Sequence, residues 1–188
     1  MPTSFSTLAA LRELIATQEL PALGPQSRSG VLSVAKLNQA LDALFKAGAL
    51  SADAPPLIRS AILLWHDHLD ASHELSQGIE TPSGSFLHGI MHRREPDYWN
   101  SKYWFRRIGR HPCLPTIAQR VAVLAGDDVG TDSQLVRGGV WDPLAFVDLC
   151  EQVASLPAAD PRHSRAREIQ RVEIDSLLEY FCAPNFSE

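Results

Sequence analysis

The chain has 188 residues, 45% of them apolar and 21% charged, so a single domain with a full core is expected and intrinsic disorder is excluded. A formal charge of -5 weighs against a duplex-binding surface, and no apolar run is longer than that from Ala61 to Trp65, far below the roughly 18 residues that cross a bilayer. Cys113, Cys150 and Cys182 have no C-x-x-C spacing and no basic residue precedes Arg12, which reads as a cytoplasmic protein with reduced thiols and no secretory signal.

Helical periodicity runs through the chain. Leu8, Leu11 and Ile15 recur at i, i+3 and i+7 behind a candidate cap at Ser6, and residues 21–30 form a Pro/Gly/Ser linker, so 1–30 reads as a helix plus linker. Leu37, Leu41 and Leu44 mark a second helix ending at Gly48. A third is expected from about Pro55 to Gln77, with Ile58, Ile62, Trp65 and Leu69 as its buried stripe. Ser85 can cap a short helix reaching Arg94, and Pro96 or Asp97 opens an aromatic helix ending near Gly109. Ile117, Val121 and Leu124 line a helix from about Thr116 to Ala125. A loop follows to Gly139, with a short edge strand at Gln134 to Val136.

The strongest start signal is Asp142-Pro143, an N-cap followed by proline at the first helical position, with Trp141 and Phe146 as a hydrophobic staple. A last helix follows Asp160-Pro161 and repeats Ile174, Leu177, Leu178 and Phe181 on its core face. No run alternates apolar and polar residues at strand length. The expected fold is all-α, a single-domain bundle of six to eight helices over 1–188, with its site-bearing helices in 55–110.

Histidines concentrate the chemistry. Of seven, five (His66, His68, His73, His88, His92) fall within residues 66–92, where even scattering would place about one. On a continuous helix, at about 100° per residue, His66, Asp70, His73 and Gln77 share one stripe, and His88, His92 and Glu95 form another on the next helix. Imidazole and carboxylate are the usual ligands of Zn, Fe, Mn or Ni. His66 and His73 stand about 10.5 Å apart along a helix axis, too far for one ion, so the economical set is His88 and His92 with one or two of His66, Asp70 and His73. Asp70-x-x-His73 resembles half of a di-iron motif without its second half, and His66-Asp67 lacks the upstream histidine of an HD-type phosphohydrolase. Against this, a structural reading leaves each imidazole satisfied by a local partner, above all His68 on the opposite face.

Residues 93–110 carry six basic and two acidic side chains. Trp99, Tyr103, Arg106 and Arg110 form one stripe there, and Asn100, Trp104 and Arg107 the adjoining one. Guanidinium groups beside indole rings suit an anion or a stacked ring; burial among other helices is the plainer reading. Three weaker features are Asp127, Asp128 and Asp132 in a loop without EF-hand spacing, Ser83-Gly84-Ser85 as a phosphate-holding helix start, and the pair His111 and Cys113.

The run Trp65-His66-Asp67-His68-Leu69, continued by His88-Gly89-Ile90-Met91-His92-Arg93-Arg94-Glu95-Pro96-Asp97-Tyr98 and Tyr103-Trp104-Phe105-Arg106-Arg107, resembles a family of uncharacterised conserved proteins from bacteria and fungi. That resemblance implies no activity. The residues themselves point to a metal-dependent hydrolase of a small polar or anionic molecule. His88 and His92 would be its ligands, completed by Asp70 or His73 with His66 nearby. Glu95 or Glu74 would be general base, and Arg106 or Arg107 with Trp99 and Tyr103 would hold substrate. The alternative is a non-catalytic ligand-binding or interaction module with structural histidines. A homo-oligomer stays open on either reading.

Overall fold

The computed structural model describes residues 4–47, 50–125 and 134–188. Among these, nine helices and one two-stranded hairpin enclose a contiguous apolar core, as the all-α expectation required. The helices are α1 (Ser4–Leu14), α2 (Val34–Ala47), α3 (Ala54–Trp65), α4 (Leu69–Ser76), α5 (Pro82–Arg94), α6 (Tyr98–Phe105), α7 (Cys113–Ala125), α8 (Pro143–Val153) and α9 (Pro161–Phe181). No helix among the described residues is long and apolar enough to cross a membrane. Gly48 and the Asp127, Asp128 and Asp132 loop lie outside the described residues.

The third expected helix is two. α3 stops at Trp65, Asp67 takes a left-handed φ of 64°, and α4 restarts at Leu69. On a straight helix Ser60 and Ser72 would be about 18 Å apart; here their hydroxyls meet at 2.8 Å because α4 folds back along α3. The stripe joining His66 to Asp70, His73 and Gln77 therefore does not exist. No Gly or Pro marks this break. What holds it is the Asp67 carboxylate, which accepts from Arg28 (backbone N 3.0 Å, Nε 2.8 Å) and from Arg94 (2.7 Å).

The same contacts convert the expected linker into a docked strap. Arg28 also donates to the Trp65 carbonyl, Gln170 holds the Ala22 carbonyl at 3.1 Å, and Leu23 is buried. α5 begins at Pro82, with Thr81 rather than Ser85 as its N-cap: Thr81 Oγ1 accepts from Gly84 N at 3.1 Å. Every residue of α5 from Ser83 to Arg94 is buried, so this helix is the axis of the molecule, flanked by α3, α4 and α6.

Asp142 caps α8 as expected, accepting from Leu144 N (3.0 Å) and Ala145 N (3.1 Å), and the staple rings of Trp141 and Phe146 lie 5.2 Å apart. The expected edge strand gains a partner. β1 (Val136–Arg137) pairs antiparallel with β2 (Val140–Trp141). Gly138 and Gly139, at φ 59° and 78°, supply the two positive dihedrals that a two-residue hairpin turn requires.

Candidate metal centre

The turn 77–81 brings α4 back against α5, and the turn 95–97 does the same for α6. Three imidazoles converge in the corner so formed. His88 and His92, one turn apart on α5, stack with ring centroids 4.7 Å apart and planes 15° from parallel. His73 of α4 closes the triangle, 4.7 Å from His88 and 5.2 Å from His92. One nitrogen of each ring lies within 4.8 Å of the others, the set of metal-competent ligands found among the described residues. Three nitrogens bound at about 2.1 Å to a tetrahedral ion would stand about 3.4 Å apart. Binding one ion would draw the three nitrogens together by up to about 1.4 Å.

His88 is the unusual member. It is 2% exposed, and neither of its ring nitrogens has a hydrogen-bond partner. A buried polar atom left so costs about 1–3 kcal/mol. Burial, reinforced by the neighbouring His92 and His73, pushes its pKa down to about 3, so at neutral pH its lone pair is free. One further contact orients the ring: it lies 3.9 Å from Trp104, 17° from parallel.

His92 is also driven below the ordinary imidazole range by burial, which outweighs the opposing carboxylates of Glu95 and Asp97. Its Nδ1 lies 3.2 Å from Glu95 Oε2 and 3.9 Å from Asp97 Oδ2. A neutral His92 that donates Nδ1–H to Glu95 keeps its Nε2 lone pair, which now faces the Asn100 amide nitrogen at 3.1 Å. That is the carboxylate–histidine arrangement that fixes the tautomer of metal ligands.

Of the residues singled out in the sequence, His73, His88, His92 and Glu95 come together. His66 does not. Its Nε2 faces the Leu14 carbonyl at 3.0 Å and its Nδ1 accepts from Leu32 N–H at 3.2 Å, so both nitrogens serve as clamps between α1 and the strap. Asp70 is exposed and outside the ligand set. Glu74, about 100° round α4 from His73, is exposed as well. His68 donates to the Leu32 carbonyl at 2.7 Å, the structural role anticipated for it.

On α6 the two stripes divide the labour. Trp99 (77% exposed) and Tyr103 (43%) face outward, while Trp104 and Asn100 reach the histidines. Arg107 lies over Tyr103 and Trp104, 5.7 and 5.3 Å from their ring centres, and Arg106 is exposed. Asn100, Trp104 and Asp97 were the residues not assigned to the site from sequence. The only signal was the second stripe itself, and nothing local says which stripe turns inward.

Two weaker candidates are filled from within. Ser83 N and Oγ bind the Glu188 carboxylate, and Gly84 N binds Thr81, so the start of α5 has no donors to spare for a phosphate. His111 Nδ1 accepts from Cys113 N–H at 3.2 Å, leaving its proton on Nε2 toward Ser83 Oγ at 3.0 Å. Burial raises the Cys113 thiol to about 12, which removes it as a nucleophile. Comparison of the chain with protein-family models, curated proteins and solved structures found no match.

Proposed function

We propose that His73, His88 and His92 bind a divalent transition metal ion, zinc or iron foremost, with manganese and nickel next, and that the protein uses it to hydrolyse a small polar substrate. The observation that carries this reading is His88: an imidazole 2% exposed, both nitrogens unpartnered, between two other imidazoles. An ion would supply the partner that the protein does not. Three histidine ligands would leave a fourth position for water, the pattern of catalytic rather than structural zinc. An ion held by three uncharged imidazole ligands would supply Lewis acidity, lowering the pKa of a bound water toward neutral. Glu95 would hold the proton of His92 Nδ1, and its second oxygen would be placed to accept one from the bound water.

Tag-free protein should carry about one zinc ion per chain by mass spectrometry. His88→Ala and His92→Ala should lose it, while His66→Ala keeps it. Absence of stoichiometric metal after zinc loading, with His92→Ala indistinguishable from the parent, ends the proposal. Glu95→Gln should retain zinc and lose hydrolysis in a panel of small esters and amides.

A second reading rests on the outward stripe of α6. Trp99 and Tyr103 are exposed and stacked at 6.5 Å with planes 13° apart, a surface suited to a planar ligand or a partner protein. If the histidines prove structural, Trp99→Ala should weaken binding of that partner and leave stability within about 0.5 kcal/mol.

A further inference from the structure

Of the six cations in residues 93–110, three are held by carboxylates: Arg93 by Glu173, Arg94 by Asp67 and Lys102 by Asp148. Arg106, Arg107 and Arg110 are exposed, and no carboxylate among the described residues pairs with any of them. The two acidic side chains of the stretch are engaged elsewhere. Glu95 lies 3.2 Å from His92, and Asp97 accepts from Asn100 N–H. Like charges this near in the chain repel one another, so the cluster favours a bound anion.

Two exposed rings adjoin these charges. Trp99 and Tyr103 stand one turn apart on α6, their centres 6.5 Å apart and their planes 13° from parallel. Arg107 continues the row: its guanidinium carbon lies 5.7 Å from the Tyr103 ring centre, and its Nη1 donates to the Tyr103 hydroxyl at 3.3 Å. The result is a ladder of three flat groups at i, i+4 and i+8, ending in an uncompensated positive charge. An indole is among the side chains that gain most from burial, yet Trp99 is 77% exposed.

We infer that this ladder binds unpaired nucleotides of a single-stranded nucleic acid, with bases stacked on Trp99 and Tyr103 and phosphates at Arg107 and its neighbours Arg106 and Arg110. Every base offers a π-face and every link a negative charge, so flat rings beside cations match the strand on both counts. A duplex keeps its base faces within its own stack and could use only the charges. A free nucleotide is a poorer occupant, because sites for small molecules cover about 70–90% of the ligand and these rings are too open for that; a strand sums several shallow contacts. That the outward stripe of α6 binds a partner is the second reading given above. That the partner is a nucleic-acid strand goes further, and it needs no metal.

The test is fluorescence anisotropy of a short, labelled RNA strand of mixed sequence, titrated with the full chain. The strand should bind, and more tightly than the same sequence annealed to its complement. Trp99→Ala should weaken it about tenfold, the worth of one stacked base. Arg107→Gln should reduce the salt dependence of log affinity by about 0.7. Val123→Ala, at an equally exposed site on α7, should change nothing. Failure of the strand to bind overturns the inference, as does a duplex or inorganic polyphosphate that competes as well as the strand, or binding indifferent to Trp99→Ala. Free adenosine separates this failure from failure of the stripe itself. If it quenches the tryptophan fluorescence of the parent but not of Trp99→Ala, while the strand is ignored, the rings remain a surface for planar ligands and the nucleic-acid assignment ends.

Discussion

Asp67 shows how one side chain overrides local preference. Its left-handed backbone is among those that Asp tolerates better than most residues, yet His-Asp-His carries no glycine or proline to announce a break. Burial alone would raise the Asp67 carboxyl; hydrogen bonds from Arg28 and the nearby charge of Arg94 instead hold it below the usual carboxylate range. With its folded pKa depressed, this group stabilises the protein above the unfolded value near 4, and that contribution is lost as pH falls through the folded value. Arg94 is fully buried, and besides Asp67 it donates to the Leu64 carbonyl. Arg94→Met should therefore cost about 1.5–3 kcal/mol, the usual worth of a hydrogen bond to a charged group, since Arg28 still pairs Asp67, as measured by urea unfolding. Pairing it with Asp67→Asn should cost clearly less than the sum of the two single changes. Strict additivity would mean that the pair does not hold the turn.

At the scale of elements, the site depends on how closely α6 approaches α5. Gly89 makes that approach: a Cβ there would meet the Phe105 ring at 3.0 Å, and the Gly89 carbonyl accepts from Ser101 Oγ at 2.7 Å. The glycine that lowers the helix propensity of α5 is thus what lets Trp104 lie on His88. Gly89→Ala should destabilise by about 1–3 kcal/mol through overpacking, against the gain of about 1 kcal/mol that the same change brings in an open helix. At the metal site proposed above, zinc affinity should fall as well, because the Phe105 ring must give way. An alanine variant of parental stability and parental zinc affinity would show that the crossing has slack the geometry does not reveal.

Across the whole molecule, buried neutral histidines set the response to acid. Burial pushes His111 down to about 4, and it also lowers His66. Both are already acceptors at Nδ1, from Cys113 N–H and Leu32 N–H, so protonation would set one donor against another. A histidine whose folded pKa lies below its unfolded value near 6.5 favours the native state above that value. The advantage drains away as pH falls toward the folded pKa. From pH 7 to pH 5, His111 alone should remove on the order of 2 kcal/mol. Chemical denaturation at the two values checks this: stability should be lower at pH 5, and His111→Asn should flatten the difference. Equal stability of the parent at both would contradict the buried, neutral assignment.

The apolar spacings of α2, α8 and α9 and the Asp142-Pro143 start were legible because each is local. A 3.6-residue period and a cap depend on neighbours within one turn of chain, so the order of amino acids alone determines them, and with them the all-α class. The concentration of histidines was legible too, as was the pairing of His88 with His92, since both sit on one face of one helix. Which third imidazole joins them was not. The break at Asp67 is made by Arg28 and Arg94, residues 39 and 27 positions away, and it carries His66 off to α1 while turning His73 inward. The choice between Trp99 and Trp104 was likewise made by contact, through Gly89 and Phe105. Periodicity describes one element at a time; a site built where three elements meet is fixed by long-range ion pairs and close packing, which only the folded chain brings into being.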